Sequence, residues 1–488
     1  MYKLGIIGFG IVGKSVLAFL KRNHEQGVDQ PFHDAAHDGA AIDIQIWDKR
    51  HLDQQEQALA VAHGATIVDV EHVDLPTFIE SHDYLVASPG VDLSTYVGAE
   101  RKVISELDFF ASFYKKPVIA VTGSLGKTTV TKLIGSLGGM LPLRVSEGGY
   151  LRPAVGGNVG VGMLDLVSRG DDNDCAVLEL SSFQLEFNHK FAPDIAVWTN
   201  LYSNHLDRHK TLENYFNAKF NMLRLQRSDH ISIFSSDLLL GPAHELFIQA
   251  MSQLHSRLII CSQRTLGEIL PDFSWLRHAL FFTCEEGMVT RSTVNHGHVI
   301  DLEPIIHKSQ LPRVTFDSNR VQVIATLHAM KLDIKKLAQV LEAVQQTLLS
   351  DLQHRVRHCA TVRGVTFYDD SKSTVAEATF AAAERLADSG RPMIIILGGL
   401  GKGADRSWLM PALEKLDNLK QVFCFGPECS VFPGARACDT LDDVMNAVDD
   451  IMLPGDLVLF SPSGSSFDFF KNYEHRGQMF EGLVKRLK

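Results

Sequence analysis

The chain has 488 residues, enough for about three domains at roughly 100–200 residues each. Its 45% hydrophobic and 22% charged residues fit a soluble globular protein, and a formal net charge of −11 argues against a general nucleic-acid binder. Seven scattered cysteines, with no Cys-x-x-Cys pair, read as reduced thiols rather than a disulfide framework or zinc site. The chain opens straight into a strand without a basic leader, and no stretch is long and apolar enough to span a bilayer, so a cytoplasmic protein without membrane insertion is expected.

In the first region, LGIIGFGIVGKSVLAFL (4–20) places Gly8, Gly10 and Gly13 between a strand and a helix. This is the G-x-G-x-x-G arrangement that lets backbone approach a pyrophosphate at a helix N-terminus. The glycines would equally serve close helix–strand packing, and on these residues alone NAD is the natural guess for a nucleotide. A second strand, Ile42–Trp47, ends at Asp48, within reach of a ribose. The polar stretch 23–40, rich in His, Asp and Gly, reads as a solvated loop rather than a metal site.

The second region starts with a strand, Val118–Val121, inside IAVTGSLGKTTVTKL (119–133). The usual phosphate loop has four residues between its glycines; counting back from Gly126 lands on Val121, and Gly123 is too close. Val130, Leu133, Ile134 and Leu137 recur at helical spacing, and Gly138-Gly139 is expected to stop that helix. Strand, glycine loop and helix still make a phosphate site: amides face the anion, Lys127 adds a charge and Thr128 offers a hydroxyl to Mg²⁺. Further on, VLELSSFQLE (177–186) ends an apolar strand on Glu179, and TNLYSNHLDRH (199–209) carries Asn200, His205 and Asp207. In LENYFNAKFNML (212–223), Lys219 shares a helical face with Leu212, Tyr215, Phe216, Met222 and Leu223. It either snorkels or is buried with a depressed pKa.

The third region carries HRVRH (354–358), YDDSKST (368–374), LGGLGKGAD (397–405) and FSPSGSSFDFFKNYEHRG (460–477), with strands at Met393–Leu397, Val422–Phe425 and Leu457–Phe460. Strands alternating with helices predict parallel sheets in all three regions.

The T-G-x-x-G-K-T-T loop, SSFQLE, NHLDRH, GGNVG (156–160) and the third-region motifs, in this order, resemble the Mur ligase family of ATP-dependent amino-acid ligases in peptidoglycan precursor synthesis. SSFQLE is similar to the branch that adds glutamate to UDP-N-acetylmuramoyl-L-alanine (UDP-MurNAc-L-Ala). The resemblance implies a three-domain α/β fold: a Rossmann-like domain over 1–116 for the UDP precursor, a central P-loop ATPase-type domain over 117–350, and a Rossmann-like glutamate domain over 351–488. It implies ATP at Gly123, Ser124, Gly126, Lys127, Thr128, Thr129, Asn319, Arg355 and Asp370. Mg²⁺ would be organised by Thr128, Glu179, His205 and a carbamylated Lys219, and Lys127, Glu179, His205 and Lys219 form the catalytic set. Gly10, Ile11, Val12 and Asn158 are implied for the UDP-muramoyl substrate, and Lys372, Thr374, Lys402, Ser466, Phe467 and Tyr473 for glutamate. A monomer with only small-molecule partners is expected.

The chain departs from the family pattern at Leu125, Asn204, Thr315-Phe316, Arg357 and Val375, which puts the adenine contacts and ATP use in question. Three other readings stay open: a dehydrogenase built on the first glycine loop, a nucleotide-binding protein with impaired ATP use, and a Mur-type ligase for another amino acid. D- and L-glutamate carry the same charges, so the sequence does not separate them.

Overall fold

The structure, a computed structural model, describes residues 2–25, 42–93, 95–144, 149–273, 276–307, 310, 317–351 and 354–487. The expected adenine-site residues Thr315 and Phe316 lie outside the described residues, as does most of the loop expected over 23–40. Its first three positions instead complete the helix Ile11–Glu25, with Asn23 buried. The chain forms two compact units, Met1–Leu201 with Glu213–Leu341, and Tyr202–Leu212 with Glu342–Lys488.

The first unit holds two sheets. Strands β1 (Tyr2–Ile7), β2 (Ile42–Trp47), β3 (Ala65–Ile67) and β4 (Tyr84–Ala87) form a parallel sheet in the order β3-β2-β1-β4. The second sheet has nine strands: β5 (Val118–Thr122), β6 (Pro153–Gly157), β7 (Cys175–Glu179), β8 (Ile195–Trp198), β9 (Ile231–Ser235), β10 (Arg257–Cys261), β11 (His278–Glu285), β12 (Met288–Asn295) and β13 (His298–His307). Their order is β13-β12-β11-β10-β9-β8-β5-β7-β6. Every residue of β5, β7 and β8 is buried, as expected of central strands covered on both faces.

The second unit holds β14 (Arg357–Val362), β15 (Val365–Asp369), β16 (Met393–Leu397), β17 (Leu419–Phe425), β18 (Arg436–Cys438) and β19 (Leu457–Phe460), ordered β14-β15-β19-β16-β17-β18. The fold is therefore α/β with mainly parallel sheets. Purely parallel sheets, however, were too simple an expectation. Strands β11, β12 and β13 pair antiparallel, and so do β14 and β15. The turns that reverse them are Glu286-Gly287, His296-Gly297 and Arg363-Gly364, every residue at positive φ (47 and 85°, 48 and 76°, 48 and 80°). An X-Gly pair in this left-handed region gives the tight hairpin whose twist matches the strands.

Gly138-Gly139 does not stop its helix, which runs Lys127–Met140. A Cβ on Gly135 would lie 2.3 Å from Val155 Cγ2, and one on Gly138 would lie 3.2 Å from Pro153 Cγ. The small residues let the helix lie tightly on β6, so their role is packing rather than termination.

Candidate active site

In the first unit the loop 123–126 leaves the C-terminal end of β5, between β7 and β8 in the sheet. Ligands of open parallel sheets bind outside these strand ends. Gly123 and Gly126 have φ of +146 and +81°. A Cβ at Gly123 would sit 2.0 Å from Thr199 Oγ1, and one at Gly126 2.5 Å from Asn319 Nδ2. Both glycines are therefore required twice over, by conformation and by space. Residues after β8 clamp the loop: Thr199 Oγ1 donates to Leu125 O at 2.6 Å, Asn200 Oδ1 accepts from Leu125 N at 2.8 Å, and Asn200 O accepts from Ser124 N at 3.1 Å. Leu125, the departure in the motif, thus uses its backbone rather than its side chain. Lys127 Nζ folds back onto Gly123 O (2.8 Å) and Ser124 O (3.1 Å).

Lys219 does not snorkel. It is 1% exposed, and its Nζ lies 3.1 Å from Gly123 O, 3.3 Å from Thr122 Oγ1 and 4.7 Å from the Tyr215 ring centroid. Burial and then the neighbouring Lys127 charge depress its pKa well below 10.5, with Glu179 opposing. Glu179, 2% exposed at the end of β7, takes one hydrogen bond at Oε1 from Asn158 Nδ2 (3.1 Å), while its Oε2 has no partner among the described residues. A buried carboxylate oxygen without a donor costs about 1–3 kcal/mol or more, which a cation would relieve. Thr128, buried in the first turn of the helix, supplies a second oxygen of the kind Mg²⁺ takes. The residues present fit a magnesium ion.

The first glycine loop is also ordered by its neighbours. Gly8 has φ +85°, Ser88 Oγ donates to Gly8 O at 2.7 Å, and a Cβ on Gly13 would lie 2.5 Å from Gly8 O. Asp48 accepts from Phe9 N at 2.7 Å and binds Arg50. Burial raises the Asp48 pKa, but those bonds outweigh it and hold the carboxyl below its usual value. Asp48 is thus engaged with the loop and Arg50. Gly10, Ile11 and Val12 open the helix, with Ile11 88% exposed.

The second unit collects the residues predicted for glutamate in the segments that follow the C-terminal ends of three neighbouring parallel strands, Tyr473 opening a helix and the others on loops. Lys372 and Thr374 follow β15, Lys402 follows β16, and Ser466, Phe467 and Tyr473 follow β19. Lys372 Nζ stands 4.7 Å from the Tyr473 ring centroid and Lys402 Nζ 5.9 Å from that of Phe467. Burial lowers the Lys402 pKa, with Asp207 opposing. Asp370 is buried; its carboxylate accepts from Ser461 Oγ (2.7 Å) and Val356 N (3.1 Å), and burial lifts its pKa to about 7 against those bonds and the Arg355 charge. His205 lies in the segment 202–212 of this unit, at φ 56°, with Asn204 Oδ1 accepting from its backbone amide at 2.9 Å.

Sequence reasoning missed Arg476, which is fully buried and donates to Ser371 O (2.7 Å), Ser371 Oγ (3.1 Å) and Gly464 O (2.9 Å), tying the β15 loop to the β19 loop. An arginine in the otherwise hydrated-looking YEHRG gave only its place in the motif as a signal. The departure at Arg357 has a local explanation: it pairs with Glu481 on the helix Tyr473–Arg486.

A glycine-bounded loop of phosphate-site geometry, with a buried lysine and a buried carboxylate whose second oxygen has no partner among the described residues, defines the class of a phosphate-loop α/β enzyme. Comparison with known proteins narrows this class. The Mur ligase middle domain family matches residues 121–265. The UDP-N-acetylmuramoylalanine–D-glutamate ligase of Acidobacterium capsulatum is 31% identical over 495 residues, covering 99% of this chain and 96% of that protein. The enzyme of the same name from Idiomarina loihiensis is 29% identical over 497 residues, with 99% and 96% covered. Among solved structures, MurF from Acinetobacter baumannii shares the fold, at a TM-score of 0.55 and 15% identity over 96% of this chain and 98% of that one. The chain belongs to the Mur ligase family, whose members are ATP-dependent, amide-bond-forming ligases. No helix among the described residues is long and apolar enough to cross a membrane.

Proposed function

We propose that this chain is a cytoplasmic, monomeric ligase that joins D-glutamate to the carboxylate of UDP-MurNAc-L-Ala at the expense of ATP. End-to-end similarity to relatives bearing that activity in their names supports the substrates. The observation that carries the chemistry is Lys219, buried with its Nζ 3.1 Å from the carbonyl of Gly123 in the phosphate loop. The assignments of 1–116 to the UDP precursor, 117–350 to ATP and 351–488 to glutamate belong to the same reading.

The chemistry needs two anions brought together. A carboxylate oxygen of the precursor attacks the γ-phosphorus, the bond to ADP breaks, and an acyl phosphate forms. The glutamate nitrogen then attacks the carbonyl carbon; the C–O bond breaks, phosphate leaves and the nitrogen loses its proton. Loop amides and the helix N-terminus at Lys127 take the phosphates, and Lys127 exchanges its carbonyl partners for phosphate oxygens. Lys219, its amine pushed toward the neutral form by burial and the Lys127 charge, bonds through Nζ to the carbon of CO₂ and releases a proton, which leaves an anionic ligand where an ammonium would otherwise stand. Mg²⁺ would be held by Glu179, Thr128 and that carbamate, with His205 as the remaining proposed ligand, and would neutralise the transferring phosphoryl group. Lys372, Thr374, Lys402, Ser466, Phe467 and Tyr473 orient glutamate, and Asn319, Arg355 and Asp370 serve the nucleotide.

Phosphate release from ATP with UDP-MurNAc-L-Ala, comparing D-glutamate, L-glutamate and no amino acid, tests the proposal. Release dependent on D-glutamate is expected. Absence of glutamate-dependent release with both isomers refutes the ligase assignment, and preference for L-glutamate refutes the stereochemistry.

A further inference from the structure

Arg406 lies four residues beyond Lys402 and has no role in the reading above. It is 1% exposed, with a guanidinium carbon 4.9 Å from the Phe432 ring centroid. A buried arginine survives only if its donors are met. Here Nη1 donates to Gly398 O and Ser463 O, both at 3.3 Å, and Nη2 donates to Glu428 Oε2 at 2.5 Å. The same Oε2 accepts from Gly401 N at 3.0 Å. One arginine and one glutamate therefore hold the backbone that leads into Lys402, at Gly398 and Gly401, and the start of the loop that carries Ser466.

The neighbouring backbone is shaped around this pair. Lys402 has φ 51° and Ser463 φ 61°, left-handed conformations that non-glycine residues adopt at a cost. Leu400 and Ser465 exchange both backbone hydrogen bonds, at 2.9 and 2.8 Å. A Cβ on Gly464 would lie 2.7 Å from Arg406 Nη1, and one on Gly401 would lie 2.9 Å from Arg406 Nε. Neither loop could accommodate a side chain where the guanidinium sits.

We infer that Arg406 and Glu428 are positioning residues for the amino-acid substrate: they lock the Lys402 loop to the Ser466 loop so that both present one preformed carboxylate-binding surface. This deepens, and rests on, the assignment of Lys402 and Ser466 to glutamate. A planar five-donor fork spans two carbonyls and a carboxylate; an ammonium does not reproduce that geometry.

The test uses the full chain with Arg406→Lys and Glu428→Gln. With ATP and UDP-precursor saturating, Arg406→Lys raises the KM for D-glutamate about tenfold and Glu428→Gln about threefold, while the KM for ATP stays put. An unchanged glutamate KM, or an equal rise in both KM values, overturns the inference. Glu428, with a side chain 36% exposed, carries the test if the arginine variant fails to fold. Hydrogen exchange of segments 398–405 and 461–467 reads the coupling without turnover, so it separates this inference from the ligase assignment. Faster exchange in both segments of Glu428→Gln supports the lock; a change in one segment only, or in neither, overturns it.

Discussion

Replacing Lys219 with Met tests whether the buried amine is held neutral. Met keeps the length and apolar volume of the side chain but loses the hydrogen bonds to Gly123 O and Thr122 Oγ1, a loss of about 2 kcal/mol at roughly 1 kcal/mol each. Against that stands the cost of keeping an amine deprotonated in the fold. The unfolded amine titrates near 10.5 and the folded one well below it, because of burial and Lys127. Between those values the unfolded chain binds more protons than the folded chain, so wild-type stability rises with pH across this window. For one full proton the slope is about 1.4 kcal/mol per pH unit. The variant lacks this term. Urea denaturation in CO₂-free buffer, followed through Trp198, which is buried 5.4 Å from the Phe216 ring, would compare the two proteins at pH 8 and 10. The stability difference, wild type minus variant, should climb with pH over those two units, with roughly 2–3 kcal/mol as the upper limit set by one full proton. Parallel curves would mean an ordinary lysine and would remove the carbamate with it.

Glu179→Gln keeps the Asn158 contact through Oε1 and removes the negative charge whose Oε2 has no hydrogen-bond partner among the described residues. Phosphate release should fall on the order of a thousandfold with stability unchanged or higher; turnover within about threefold of wild type removes Glu179 from the metal set. Gly123→Ala forces a Cβ to 2.0 Å from Thr199 Oγ1 at a φ of +146°, so calorimetry should show a loss of about 2–4 kcal/mol, and a wild-type melting temperature contradicts the loop geometry. Arg357→Glu should cost about 1 kcal/mol by facing Glu481, and adding Glu481→Arg should restore it; additive losses in the double variant would deny the pair.

What the sequence made legible follows from how local each signal is. Central strands such as Met393–Leu397 and Leu457–Phe460 are short apolar runs between turn residues, and the structure starts and ends them at those residues. The loop at Gly123–Gly126 was readable because two glycines, a lysine and a threonine sit within a few residues, and the helical stripe around Lys219 already placed it among apolar neighbours. The antiparallel hairpins went unread: Glu286-Gly287 and its two counterparts each carry a single glycine, a signal that an ordinary loop between parallel strands also gives. Gly138-Gly139 misled for the opposite reason: close packing on Pro153, outside the helix, decides their role. The clamp of Thr199 and Asn200 on Leu125, the Arg476 tie and the Arg357–Glu481 pair all join segments tens of residues apart or more. No spacing rule encodes such contacts.

Burial of polar groups alone does not single out candidate reactive residues here. Arg476 is fully buried, yet its donors meet Ser371 and Gly464; Asp370 is buried, yet both oxygens have donors. These groups are matched within their own unit and account for loop structure. Glu179 and Lys219 differ. One has a carboxylate oxygen that meets no donor among the described residues, the other an amine pushed toward its neutral form by burial and a second lysine. Apolar residues would fill both positions more cheaply, yet the unit keeps, among the described residues, an unmet carboxylate oxygen and an amine whose charged form is disfavoured. The proposed ligase chemistry gives both a use: a cation for the oxygen, and an electrophile that would convert the amine into a further ligand for that cation.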